Sequence, residues 1–133
     1  MAPTSPATAY QSQAVHTANG PVLLVMLYDR LAVDIDRGGT AIEARDYAGA
    51  NIHLQHAQRI VRLLRNSLDS NGFAGGKDLY SLYNFLEKHL IEANMAKDTA
   101  KVRECANLVA PLHRAWRKAV ADRGGVGALA DLG

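Results

Sequence analysis

The chain of 133 residues contains a single cysteine, Cys105, and carries little net charge. One cysteine permits no internal disulfide and agrees with a reducing compartment. A formal charge of +2 predicts no strong attraction to nucleic acid or to an acidic membrane. The longest apolar run is far too short for membrane insertion, and the first residues have neither the basic nor the apolar region of a signal peptide. The composition therefore predicts a soluble cytoplasmic domain.

Apolar residues recur at helical spacing in four long segments, and no strand-like alternation is present. The predicted helices are 21–44, 47–69, 77–97 and 99–122. Asp46 and Asp98 can cap the second and fourth helices. The connections after the first and third helices are short, which predicts an all-α antiparallel four-helix bundle over 17–122. Residues 1–16 are predicted to form a flexible N-terminal arm, and 123–133 a disordered tail.

Three residues conflict with this helical pattern. Gly38 and Gly39 lie inside the first predicted helix and together cost about 2 kcal/mol relative to alanine, so a kink or an early end is expected there. Pro111 lies inside the fourth helix, where it is expected to kink the helix or to open one backbone hydrogen bond.

Residues suited to metal or catalytic chemistry are few. His53 and His56 lie one helical turn apart, but no further ligand is placed to complete a metal site. No Glu-x-x-His pair of the kind used by di-iron bundles is present. Cys105 lies on an apolar stripe, where a thiol behaves as a small hydrophobic group. These observations predict that the protein is not an enzyme and has no cofactor or metal.

Helical bundles can also act in histidine phosphotransfer or bind nucleic acids. A histidine phosphotransfer domain has a lysine and a glycine after its phosphorylated histidine, and neither follows His53, His56 or His89. Arginines at positions 59, 62 and 65 form a row that could track phosphates. No aromatic residue accompanies this row, so a solvated helix face is the favoured interpretation, without nucleic-acid binding.

The helices carry more apolar residues than one core requires. Val22, Met26 and Val33 lie opposite the stripe of the first helix that includes Leu24 and Leu31. Ile91 and Met95 similarly add to the third helix, and the fourth helix has a broad apolar sector. Surplus apolar surface is typical of partner binding, often in a groove that accepts an amphipathic helix. A homodimer that uses the same surface is the alternative.

The chain resembles the FliS family of flagellin export chaperones over about residues 10–120, through short sequence matches that follow one another in the family's order. The opening match is Tyr10, Val15, Thr17-Ala18 and Leu24-Val25-Met26-Leu27-Tyr28-Asp29. Further matches are Ala41-Ile42, Asp46, Ser67-Leu68-Asp69, Leu79, Leu82-Tyr83, Leu90-Ile91-Glu92-Ala93-Asn94, Asp98 and Ala115-Trp116.

The resemblance implies a cytosolic chaperone that binds the disordered C-terminal segment of flagellin. It would prevent premature polymerisation and deliver flagellin to the flagellar type III export gate. The N-terminal arm would cover part of the binding surface in the free protein. A homodimeric adaptor and a phosphotransfer-type signalling bundle are the alternatives. The residues assigned to partner binding are Tyr10, Val15, Val22, Met26, Leu27, Tyr28, Val33, Ile91, Asn94, Met95, Leu108, Leu112 and Trp116.

Overall fold

A computed structural model describes residues 20–69, 71–72 and 74–122. Over these residues the chain forms four α-helices and no strand. The helices are α1 (Gly20–Glu43), α2 (Tyr47–Asn66), α3 (Gly76–Ala96) and α4 (Thr99–Val120). The all-α prediction is confirmed. The predicted arm and tail lie outside the described residues.

The four helices form an antiparallel bundle in which each helix packs against two neighbours. The pairs are α1 with α2, α2 with α3, α3 with α4, and α4 with α1. The core contains the fully buried side chains of Leu31, Leu54, Leu86 and Trp116, among others. Since adjacent helices run in opposite directions, the N-terminal half of α1 lies beside the C-terminal halves of α2 and α4.

Aspartate side chains cap two of the helices, as the sequence predicts. Asp46 accepts a hydrogen bond from the backbone N–H of Gly49 at 2.9 Å. Asp98 accepts from the N–H groups of Ala100 at 2.9 Å and Lys101 at 3.3 Å. These bonds satisfy donors that would have no partner at a helix start. They also fix the turns that lead into α2 and α4.

The two glycines of α1 allow close helix packing without ending the helix. α1 runs without interruption to Glu43, so the expected early end does not occur. A Cβ atom at Gly38 would lie 2.5 Å from Cδ2 of Leu54 on α2. A Cβ atom at Gly39 would lie 3.3 Å from Cγ1 of Val102 on α4. The glycines therefore let α1 approach both of its neighbours.

Pro111 also lies inside a continuous helix. α4 extends from Thr99 to Val120, and Pro111 is exposed on its outer side. The proline ring has no N–H, so one backbone hydrogen bond is missing at this turn. α2 differs from prediction at its end, because it stops at Asn66 and Ser67 forms the C-cap.

Candidate partner-binding surfaces

Large apolar side chains are exposed on several faces of the bundle. On α1 and α2 they are Leu23, Met26, Val33, Tyr47, Ile52 and Leu63; on α3 they are Tyr80, Phe85, Ile91 and Met95. Isolated exposed apolar residues are ordinary, whereas groups of them on one face indicate contact with a partner. Three groups emerge when these residues are placed on their helices.

The first group, the α1 surface, consists of Leu23, Met26 and Val33. Their side chains are 51%, 47% and 39% exposed, respectively. Their spacing places them on the outer side of α1, while Leu24 and Leu31 on the inner side are buried. α1 is thus apolar on both sides, as predicted. Val22 and Leu27, which were also assigned to partner binding, are half-buried beside this surface.

The second group, the α3–α4 surface, consists of Leu82, Phe85, Leu108 and Leu112. The Phe85 ring is 50% exposed and stacks on the ring of His89, with centroids 5.1 Å apart. Nε2 of His89 lies 2.5 Å from Oε2 of Glu104 on α4.

The helical repeat extends this surface along α4. Leu108 follows Glu104 by one turn, and Leu112 follows Leu108 by another. Both leucines are half-buried, and Leu82 and Leu112 pack against the edge of the core. This surface therefore forms a shallow apolar strip between two helices.

The third group, the α2–α3 surface, consists of Arg59, Tyr80, Lys88, Ile91 and Met95. Met95 is 82% exposed and Ile91 is 37% exposed. Ile91 follows Glu87 by one helical turn, and Glu87 bonds to arginines of α2. This spacing places Ile91 and Met95 on the edge of α3 that faces α2.

Three residues assigned to partner binding are buried within the bundle. Tyr28 is 0% exposed and Trp116 is 1% exposed. The Tyr28 hydroxyl shares a hydrogen bond of 2.7 Å with that of Tyr83, and the Tyr28 and Trp116 rings meet edge to face at 5.6 Å. Asn94 is 8% exposed, and its Nδ2 donates to Oδ1 of Asn51 at 2.9 Å.

This burial corrects the expectation that Tyr28, Asn94 and Trp116 form part of the accessible surface. Their side chains make cross-helix contacts instead. The rings of Tyr28 and Trp116 fill the centre of the small bundle, and Asn94 donates to Asn51. Tyr10 and Val15 lie outside the described residues. Leu23 and Phe85 are exposed residues that were not assigned from the sequence. The placement of Phe85 beside the leucine stripe of its helix was the available signal.

Ion pairs connect the helices around these surfaces. The Asp34 side chain is fully buried, with Oδ1 3.1 Å from Nε of Arg30 and Oδ2 in contact with Nδ1 of His56. Asp29 on α1 binds His113 and also Arg117 of α4, the latter at 2.8 Å. These contacts hold α1 against both of its neighbours.

One ion pair and one thiol have shifted pKa values. Nζ of Lys101 donates to Oε2 of Glu92 at 2.9 Å. This hydrogen bond and the attraction between the charges lower the pKa of Glu92 and raise the pKa of Lys101. Burial raises the pKa of the Cys105 thiol to about 12. The thiol is therefore protonated at neutral pH, which makes it a poor nucleophile.

The described residues contain no arrangement of metal ligands. Within 20–69, 71–72 and 74–122, no three histidine, cysteine, aspartate or glutamate side chains come close enough to hold a metal ion. Of the histidines weighed for phosphotransfer, His56 binds Asp34 and His89 binds Glu104. A groove of about 290 Å³ between α1 and α4 is lined by charges of both signs, including Asp36 and Arg103.

The fold is a small helical bundle, and its exposed apolar residues are of the kind that partner-binding surfaces contain. Residues 3–123 match the family described as Flagellar protein FliS. The chain therefore belongs to the FliS family, which confirms the resemblance noted in its sequence. Among the described residues, every helix falls short of the length or the hydropathy that a membrane crossing requires.

Two curated relatives carry the same name. The chain is 32% identical to the Flagellar secretion chaperone FliS of Bacillus subtilis (strain 168), and the alignment covers 98% of this chain and 100% of the relative. It is 27% identical to the Flagellar secretion chaperone FliS of Escherichia coli (strain K12), over 80% of each chain.

Proposed function

We propose that this protein is a cytosolic export chaperone for flagellin. It binds the disordered C-terminal segment of flagellin, prevents premature polymerisation, and delivers the subunit to the flagellar type III export apparatus. Membership of a family whose relatives are named as flagellar secretion chaperones supports this proposal. The observation that carries it is the presence of exposed apolar residues on three separate faces of the bundle.

The distribution of these residues favours an extended partner. The α1, α2–α3 and α3–α4 surfaces point in different directions, so one short helix cannot cover all three. A long disordered segment can wrap around a bundle and fold against each surface in turn. Ordering this segment offsets part of the binding energy, which suits a chaperone that must release its cargo. A homodimer with two-fold symmetry would cover a single surface of each copy.

The N-terminal arm is proposed to compete with this cargo. Tyr10 and Val15 are the sizeable apolar residues of the arm, and the arm joins α1 close to Leu23 and Met26. Docking of the two side chains would cover part of the α1 surface in the free protein, and flagellin would displace them. Delivery to a component of the export gate would follow once the cargo is bound.

The test measures binding of the C-terminal segment of flagellin from the same organism. We expect a Kd in the micromolar range or below by calorimetry, with a gain of helicity in circular dichroism. Met26→Glu places a charge on the α1 surface and is expected to weaken binding about tenfold or more, because a buried methionine contributes about 1.5–3 kcal/mol.

Asn107→Glu adds the same side chain at an exposed position of α4 outside the three surfaces. This control is expected to bind the segment within about twofold of the unmodified protein, because surface substitutions of this kind change little. Absence of binding to the unmodified protein, or equal losses in both variants, would contradict the proposal.

A further inference from the structure

The α2–α3 surface is more cationic than the other two. Four basic side chains, at positions 59, 62, 65 and 88, lie on or beside it, and two of them bind the carboxylate of Glu87. Nη1 of Arg62 donates to Oε2 of Glu87 at 3.2 Å, and Nη1 of Arg65 donates to Oε1 at 2.7 Å. Both oxygens of this carboxylate are therefore occupied.

Arg59 and Lys88 remain outside this cluster. Both are exposed, and neither makes a hydrogen bond or an ion pair with another residue that the structure describes. Arg59 lies one helical turn from Arg62, on the side toward Met95, and Lys88 lies one turn before Ile91. Two exposed cations thus border the exposed apolar pair of α3. The carboxylate to which Lys88 is attracted, that of Glu92, already accepts a hydrogen bond from Lys101.

Polar contacts fix the backbone beneath this apolar pair. Asn94 lies between Ile91 and Met95 along α3 and donates to Asn51 of α2 at 2.9 Å, while its Oδ1 accepts from Nζ of Lys97 at 2.5 Å. The bond to Asn51 connects α3 to α2, and the bond from Lys97 lies within the C-terminal turn of α3. Ile91 and Met95 therefore flank a direct polar contact between the two helices.

Ion pairs neutralise most of the charge beside the other two surfaces. Beside the α3–α4 surface, His89 binds Glu104, and Lys101 binds Glu92. Beside the α1 surface, Arg30 binds the carboxylate of Asp34, and Arg37 is exposed one turn after Val33. The α2–α3 surface differs from both in its excess of positive charge, with four basic side chains near one carboxylate. This excess favours a partner with complementary negative charge.

We infer that the α2–α3 surface binds an acidic amphipathic portion of the flagellin segment. Its apolar residues cover Ile91 and Met95, and its aspartate or glutamate carboxylates pair with Arg59 and Lys88. This inference rests on the proposed function and adds the chemistry of one part of the cargo. A polypeptide fits better than a nucleic acid, because the exposed side chains of Ile91 and Met95 are aliphatic and offer no aromatic face on which bases can stack.

The test reverses the two free charges and leaves the apolar residues in place. Arg59→Glu/Lys88→Glu is compared with Arg114→Glu/Lys118→Glu, which makes the same change of charge at two exposed positions of α4. Circular dichroism first establishes that both variants are folded. Calorimetry then measures the Kd of each for the flagellin C-terminal segment at low and high salt.

We expect the first variant to bind about tenfold more weakly at low salt and the control to stay within about twofold. Added salt should weaken the unmodified protein more than the Arg59→Glu/Lys88→Glu variant, because the attraction between charges is screened. Exchange of acidic residues of the segment for lysine should restore part of the affinity of that variant.

Two outcomes would overturn the inference and leave the proposed function intact. One is unchanged flagellin binding by the Arg59→Glu/Lys88→Glu variant, and the other is an equal loss in the Arg114→Glu/Lys118→Glu control. A single-stranded RNA oligonucleotide that competes with the flagellin segment for Arg59 and Lys88 would also overturn the inference. If the segment does not bind the unmodified protein at all, the proposed function itself fails.

Discussion

Removal of the buried carboxylate of Asp34 should cost less stability than removal of both of its partners. Its side chain is 0% exposed, whereas the partners Arg30 and His56 are 50% and 38% exposed. Removal of Asp34 leaves two partners that water can solvate. Removal of both partners leaves a buried carboxylate without a counterion, which is the costlier state.

The expected loss of unfolding free energy depends on how exposed the side chains of Asp34, Arg30 and His56 are. Asp34→Ala removes a buried carboxylate together with its hydrogen bond to His56 and its ion pair with Arg30, which costs about 1.5–3 kcal/mol. Arg30→Ala alone should cost no more than about 1 kcal/mol, since half-exposed ion pairs contribute little. Arg30→Ala/His56→Ala should cost about 3–5 kcal/mol, as for a buried pair from which one side is removed.

A third substitution allows a comparison between variants that does not depend on the absolute free energies of unfolding. Asp34→Ala, added to the Arg30→Ala/His56→Ala variant, removes the stranded carboxylate and should restore about 1–3 kcal/mol. Urea unfolding followed by circular dichroism at a fixed pH of 7 measures each free energy of unfolding. A triple variant that is less stable than the double variant would contradict a costly buried carboxylate at position 34, as would a double variant that loses less than about 1 kcal/mol.

Two further predictions concern close packing and the buried thiol. Gly38→Ala should destabilise the protein by about 1–2 kcal/mol, because the new Cβ would lie 2.5 Å from the buried Leu54 side chain and this strain exceeds the helix propensity gained. Gly39→Ala, with its nearest contact at 3.3 Å, should be neutral or slightly stabilising, and urea unfolding of the two variants tests the contrast. The pKa of Cys105 is raised from 9.0 to about 12, so the unfolded chain releases this proton first and stability should fall as pH rises above 9. Cys105→Ala should remove this loss of stability, which is about 1 kcal/mol at pH 10. The same dependence of the unfolding free energy on pH in the variant and the unmodified protein would contradict this prediction.

The helices and the inward stripes could be predicted because they depend on local periodicity. Leu24, Leu31 and Ile35 recur at helical spacing and are all buried. Met26 and Val33 lie opposite them and are exposed, as the surplus of apolar positions indicates. The burial of the first set and the exposure of the second follow from their positions around one helix, so no knowledge of the neighbouring helices is needed.

Contacts between helices could not be predicted in the same way. Whether Gly38 interrupts a helix or allows a close approach depends on Leu54, which is distant in sequence and adjacent in the fold. The burial of Tyr28 likewise depends on Tyr83 and Trp116. The pairing of Arg62 and Arg65 with Glu87, which leaves Arg59 free, follows from the alignment of α2 and α3.

The central claim is that an extended flagellin segment folds against several surfaces of this bundle. Calorimetric titration with the C-terminal segment of flagellin from the same organism, with circular dichroism on the same mixtures, tests it most directly. We expect one-to-one binding at micromolar concentration or below, a negative heat-capacity change, and a gain in helicity. Absence of binding at micromolar concentrations, or binding without any gain of helicity, would contradict it.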